Sequence, residues 1–493
     1  MELKIKLLEW SAGLPVAMLD EETAKKIGVH TKDRIFIETI CKKPKRFFTI
    51  IDTIKKFIGK DEIAISSELR ERLGLQQGQK VKVGLSQNPT SLVYIKKKLN
   101  KKKLNQKEIH KIICDIVNNS ISEAEIALFV SAMYENGMDM DEVVYLIKAI
   151  SKTGKQISFK SKYVVDKHSI GGIPGNRTTP IVVSICAAAG LLMPKTSSRA
   201  ITSAAGTADV IETIAKVEFS AKKLKKIVKK TNGCIVWGGS LGMVPADSKI
   251  IRIERILKID PEAQLLASIM SKKLATGAKY ILIDIPYGKT AKVNKQQALK
   301  LKKKFEYLGK VFKKKLKVVL IPANEPMGNG VGPALELIDV IEVLDPQKNG
   351  PKDLEEKSLF LAGELLEMTG KAKKRKGIEM ARKILSSGKA FNKFKEIIEA
   401  QEGSLKKINP AKFKKTIFSN KSGIVKEIHN KKINSLARIA GCPVDKLAGL
   451  RIYVSLKDKI KKGDKIMVIY SESKSRIKEA ANFYKKSNPV KLK

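Results

Sequence analysis

Histidine, cysteine and tryptophan are scarce in this 493-residue chain, with four, five and two copies. The histidines, at 30, 110, 168 and 429, are too few and too scattered for a His-based metal site. Cys41, Cys114, Cys186, Cys234 and Cys442 form no CxxC pair, and their odd number gives no disulfide framework. Both absences predict a metal-free protein of the reducing cytosol. Long apolar runs are missing too. The longest, 181–193, is too short to span a bilayer and contains Gly190. MELKIKLLEW lacks the apolar stretch of a secretory signal, so a soluble, cytoplasmic protein is expected. Aromatics, at 5%, are thin for a protein that stacks single-stranded bases. Acidic residues number 50 against 97 basic ones, and only 13 of the basic ones are arginine.

The resulting net charge of +47 attracts anions, among them phosphate and nucleic acid. Lysine runs such as KKKLNKKKL (96–104) and KKLKKIVKK (222–230) are spread along the whole chain. They read more simply as solvated faces than as a nucleic-acid surface, though either would draw in an anionic metabolite. Apolar residues make up 43%, enough for several cores, and the length predicts three or four domains.

IGVHTKDRIFI (27–37) and LGLQQGQKVKV (73–83) form a near-repeat. Each follows a short strand and a helix, which suggests a duplicated, double-psi-like β-barrel over 1–88. A helical domain is expected over 89–160, joined by about 245–276. Its sequence SISEAEIALFVSAMYENG opens with a capping box, Ser122 to Glu125. Over 161–400 strands alternate with helices, the pattern of a mostly parallel α/β domain. GIVKEI, LRIYVSL and DKIMVIYS read as strands of a C-terminal α+β module over 401–493. The fold class is therefore multidomain α/β.

Three segments inside the α/β region carry candidate chemistry. Lys167-His168-Ser169-Ile170-Gly171-Gly172 follows the strand YVVD, where glycines let backbone N–H groups approach an anion and Lys and Ser add donors. A plain Gly-rich turn is the alternative. SSRAITSAAGTADVIE (197–212) sets an arginine and several hydroxyls before the expected helix ADVIETIAK, whose start offers free N–H groups. The alternative there is a helix cap made by Thr207. Gly328-Asn329-Gly330-Val331-Gly332-Pro333 reads as a tight turn into the helix PALELIDVI.

The second segment closely resembles the signature of the thymidine and pyrimidine-nucleoside phosphorylase family. KHSIGG resembles that family's phosphate loop KHSTGG, and ASIMSKKLA (267–275) its helix ASILSKKLA. The motifs keep the family's order and similar spacing, and the likeness covers roughly 95–490. It implies a homodimer or larger homo-oligomer without metal or organic cofactor, taking inorganic phosphate at Lys167, Ser169, Ser197 and Thr207, with Thr178 a looser match. Arg199 lies in the signature, and Ser268 and Lys272 match nucleoside contacts.

The departures point to a branch of that family. Ser203 stands where a histidine is expected, the base-reading arginine would fall near Ile253, and IPGNRTT follows KHSIGG. With the N-terminal barrel, these changes resemble the archaeal AMP phosphorylases. That likeness implies phosphorolysis of AMP, with CMP and UMP as further substrates. The implied AMP contacts are Gly172, Ser198, Arg199, Ala200, Ile201, Thr202, Ser203, Thr207, Ser268 and Lys292. Asp260, in LKIDPEAQLL, matches their proton donor to the leaving base. A carboxyl that donates near neutrality needs burial or a nearby anion; the residues alone favour a cap for a helix beginning at Pro261, and the two roles are compatible. The competing functions are a thymidine or pyrimidine-nucleoside phosphorylase, a magnesium-using phosphoribosyltransferase on the same architecture, and a nucleic-acid-binding protein.

Overall fold

The computed structural model describes residues 1–8, 16–86, 88–200, 203–405 and 408–493. These form two compact units, Met1–Thr153 with Pro245–Gln264, and Gly154–Val244 with Leu265–Lys493.

The first unit opens with a closed six-stranded barrel. The strand Glu2–Leu7 pairs in parallel with Glu62–Ile65, and Val16–Asp20 in parallel with Arg46–Ile54, so the two halves interlock. Alternate side chains such as Ile5, Ile35, Ile37, Val81 and Val83 fill the interior. The near-repeat has a backbone cause. Helices Glu21–Ile27 and Ser67–Leu73 both end on a left-handed glycine, Gly28 at φ 76° and Gly74 at φ 67°.

Helices Gln106–Val117, Glu123–Asn136 and Met140–Lys152 follow, each starting in a capping box. The expected Ser122–Glu125 box is among them. Pro245–Leu257 packs on all three, chiefly on Gln106–Val117 and Glu123–Asn136. One ion pair is buried in this helical region. Lys98 donates to both Glu142 oxygens at 2.8 and 2.9 Å, both residues being at most 3% exposed, and Glu142 also accepts from the Leu104 and Asp139 N–H groups.

The second unit holds parallel strands Val165–Ser169, Tyr280–Tyr287 and Lys315–Pro322, and a parallel pair Met193–Ser197 and Gly233–Trp237. The largely parallel α/β expectation is borne out. A parallel bridge between Val164 and Leu192 links the two sets. The helix Thr178–Ala188, buried along nearly its whole length, packs here with Pro333–Leu344 and Lys352–Met368. The C-terminal module has the sheet Phe413–Phe418, Lys465–Ser471 and Gly449–Ile452, antiparallel throughout. Gly330–Val331 joins that sheet from the α/β region, because the glycine-rich turn runs alongside Gly449–Ile452 before its helix begins.

Two helices differ from expectation. The one after the signature covers only Thr207–Ile211, since the chain turns at 212–215. The one after Asp260 starts at Glu262. Among the described residues no helix is long and apolar enough to cross a membrane.

Removing Glu142 strands the Lys98 ammonium in an apolar interior. Glu142→Ala is expected to destabilise the helical region by about 3–5 kcal/mol. Denaturant unfolding followed by helical circular dichroism measures this; a loss below about 1 kcal/mol, the worth of a surface pair, would contradict it.

Candidate active site

Ser169 and Ser197 are the last residues of two parallel strands, and Lys292 lies just beyond the strand Tyr280–Tyr287. The carboxyl ends of parallel strands are where open α/β sheets hold ligands.

Beneath these ends lies a layer of buried charge. Successive strand residues face opposite sides, so Asp166 and Lys167 point apart. Lys167, 1% exposed, donates to Thr178 Oγ1 at 2.7 Å and lies 3.8 Å from Asp284, which also faces Lys357 at 3.1 Å. On the other side Asp166 pairs with Lys273 at 2.7 Å and Lys195 at 3.3 Å. Four buried lysines thus share two carboxylates. Burial pushes the Lys167 ammonium down to about 7, against the pull of Asp284. Lys273 is pushed down to about 7 by the same cause, opposed by Asp166. His168, whose Nδ1 has no hydrogen-bond partner among the described residues, is held well below the usual imidazole range by burial and by Lys273 and Lys195.

Above this layer, Ser169 Oγ accepts long hydrogen bonds from Gly171 N–H and Asn176 Nδ2, both at 3.4 Å. Ser197 Oγ donates to the Val236 carbonyl at 3.3 Å. Thr207 does not cap its helix; Gly206 holds the cap position, and Thr207 Oγ1 accepts from Arg177 at 2.7 Å. Arg177 also donates to Glu336 and to the Ala205 carbonyl, so it joins the KHSIGG loop to the signature loop.

The signature loop is closed by Asp209, whose Oδ2 accepts from Ala200 N–H at 2.7 Å and Gly206 N–H at 2.8 Å. Its two ends touch so closely that a Cβ on Gly206 would lie 2.6 Å from the backbone of Ser198, Arg199 and Ala200. The partly buried Arg199 stacks on Trp237 and bonds Glu212 at 2.5 and 2.7 Å and Glu218 at 2.9 Å. Its hydrogen bonds hold the Glu212 carboxyl down to about 2. Ser198 is partly buried, Ser203 Oγ donates to the Ala205 carbonyl, and Ile201 and Thr202 lie outside the described residues.

Gly172 and Lys292 are in contact, since a Cβ on the glycine would meet Lys292 Cβ at 2.8 Å. Lys272 bonds Ser268 Oγ at 2.7 Å, one turn away on the helix Glu262–Ala275. Asp260 is exposed and belongs to the first unit, two residues ahead of that helix. The third glycine-rich segment has its donors filled from within. Gly328 N–H bonds Asp353, Asn329 and Gly330 N–H bond Asp339, and Gly332 N–H bonds Glu336. Burial still pushes Asp339 up to about 7.

Among the described residues no three His, Cys, Asp or Glu side chains are grouped to hold a metal ion. Sequence reasoning missed Arg177, Asp284, Lys195, Lys273 and Lys357. IPGNRTT flagged Arg177 only as a departure, and the buried lysines are indistinguishable in sequence from the exposed ones.

Residues 93–154 match the glycosyl transferase family helical bundle domain, 161–391 that family's a/b domain, and 424–491 the pyrimidine nucleoside phosphorylase C-terminal domain. The AMP phosphorylase of Methanococcus vannielii is 40% identical over 99% of this chain and 97% of its own. That of Thermococcus kodakarensis is 42% identical over 100% and 98%. Among solved structures, the anthranilate phosphoribosyltransferases of Thermus thermophilus and Saccharomyces cerevisiae superpose with TM-score 0.52 at 16% and 14% identity. They cover 63% and 64% of this chain and 99% of their own, a likeness of fold.

The depressed lysines make stability depend on pH. Lys167 and Lys273 titrate near 7 when folded but near 10.4 when unfolded, so between those values the unfolded chain binds more protons. Stability of the ligand-free protein is expected to rise from pH 7 to pH 9, by at most about 1.4 kcal/mol per pH unit for each lysine. Lys167→Met should flatten that rise. Melting temperatures of both proteins across this range test it, and parallel slopes would refute it.

Proposed function

The chain belongs to the AMP phosphorylase family, and we propose that it catalyses phosphorolysis of AMP, yielding adenine and ribose 1,5-bisphosphate. The near-full-length likeness to AMP phosphorylases carries this reading. The surplus of buried lysines under donor-bearing strand ends supports it, because both substrates are phosphate anions.

In this reading inorganic phosphate lies against Lys167, Ser169, Ser197 and Thr207. AMP lies along Gly172, Lys292, the 198–203 loop, Thr207 and Ser268, with Lys272 beside Ser268. A phosphate oxygen bonds to the anomeric carbon as the carbon–nitrogen bond to the base breaks. The base leaves with the electron pair and takes a proton from Asp260. Holding the attacking dianion in line converts a bimolecular step into an oriented one, and its charge offsets the positive charge developing on the ribose. The working enzyme is a dimer or larger homo-oligomer, and nucleic acid is not its partner.

Incubation with phosphate and AMP, adenosine or thymidine, with product analysis, tests the substrate. Adenine and ribose 1,5-bisphosphate are expected from AMP. Reaction of unphosphorylated nucleosides alone would replace the reading with a nucleoside phosphorylase. Strong magnesium dependence would favour a phosphoribosyltransferase.

Asp260→Asn separates proton donation from a structural role. Asn begins helices about as well as Asp, so the melting temperature should hold. AMP turnover should fall by about two to four orders of magnitude, the usual worth of general acid catalysis. Near-native turnover in this variant would leave Asp260 without a part in the chemistry.

A further inference from the structure

One helix of the C-terminal module, Asn430–Ala440, touches both loops assigned above to AMP. Its first residue, Asn430, is fully buried and bonds Thr290 Oγ1 through Nδ2 at 3.0 Å and through its N–H at 3.3 Å. Nδ2 also reaches the Ala323 carbonyl at 3.3 Å. Thr290 lies two residues before Lys292, and the intervening Ala291 packs with Ala323 and Ile173, the residue after Gly172. One turn along the same helix face, Asn434, 7% exposed, accepts from the Ala204 N–H at 3.0 Å. Ala204 is buried in the apolar core of the C-terminal module with Ile433, Leu436 and Ala437. A third tie comes from Lys446, which bonds Glu212 at 2.6 Å and lies 3.7 Å from Asp209, the carboxylate that closes the signature loop.

We propose that Asn430 and Asn434 are positioning residues for the nucleotide, fixing the Gly172–Lys292 wall and the 203–206 arm of the signature loop from a single helix. Neither acts on the reacting atoms. Each consumes a backbone or hydroxyl group that would otherwise let its loop relax, so the two walls keep their spacing before AMP arrives. The phosphate residues Lys167, Ser169, Ser197 and Thr207 bond elsewhere, to Thr178, Gly171 and Asn176, Val236 and Arg177, and among the bonds described none reaches this helix, so AMP and phosphate should respond differently to its loss. The inference rests on the AMP reading above.

Asn434→Leu keeps the branched four-atom skeleton but removes the acceptor, whereas Asn434→Asp keeps the accepting oxygen. The leucine variant should raise KM for AMP by about tenfold, the worth of one buried hydrogen bond, and leave KM for phosphate within about twofold. The aspartate variant should recover most of the AMP KM. A packing role alone predicts that the bulkier leucine lowers the melting temperature and raises the AMP and phosphate KM together, and that pattern overturns the inference. Asn430→Ala at the other wall is read the same way and carries the test if the leucine variant does not fold. Unchanged AMP KM in the folded variants, beside an active wild type, overturns the inference alone. A wild type that leaves AMP intact overturns the functional reading, and the inference with it.

Discussion

Four buried lysines share two carboxylates beneath the strand ends, and the rest of the site is arranged over that imbalance. Taking an ammonium out of water without a full partner is costly, and Lys167 reflects the cost by titrating near 7. An anion placed beside Lys167 reverses this, favouring the charged lysine and gaining a charge-assisted hydrogen bond. This buried layer is thus electrostatically incomplete among the described residues, with four lysines to two carboxylates. Phosphate and a nucleotide have the charge for that place. A neutral nucleoside would leave more of the lysine surplus unmatched.

Much of this was legible in the sequence where local rules decide the outcome. Ser122 and Glu125 form the expected capping box because that motif is satisfied within one turn. The barrel repeat was visible because Gly28 and Gly74 each stop a helix in a conformation other residues avoid. KHSIGG and SSRAITSAAGTADVIE stood out by composition and by family likeness. The charged floor was not legible. Lys195, Lys273 and Lys357 are three lysines in a chain with 97 basic residues, and only the pairing of strands and helices brings them to Asp166 and Asp284. The expected helix over 208–216 is cut to Thr207–Ile211, because the chain turns at 212–215 while Asp209 is spent at the helix start.

The two glycine-rich loops show what composition leaves open. Both KHSIGG and the 328–333 segment follow a strand and offer backbone donors. In the second, carboxylates of the same chain take those donors: Asp353 at Gly328, Asp339 at Asn329 and Gly330, and Glu336 at Gly332. That loop is an anion-binding turn already filled by its own fold. Around KHSIGG the nearby carboxylate Asp284 faces lysines rather than the loop's backbone donors, and the serine's described hydrogen bonds are long. What separates a site from a turn is therefore which side chains reach the donors first, a tertiary property absent from the motif.

The same reasoning limits what the shared architecture can decide. At 14–16% identity, the likeness to anthranilate phosphoribosyltransferases extends to the arrangement of helices and parallel strands, and such a scaffold serves many reactions. Substrate choice depends on loops at the strand ends, and loops keep a fixed shape only when their backbone groups are held. In this chain Ala204 sits in the core of the C-terminal module, and two asparagines and a lysine of that module tie the surrounding loops. The module's apolar core thus stabilises a loop that the α/β sheet does not enclose. The hold on these loops is then set by packing some distance along the chain from the signature motif itself.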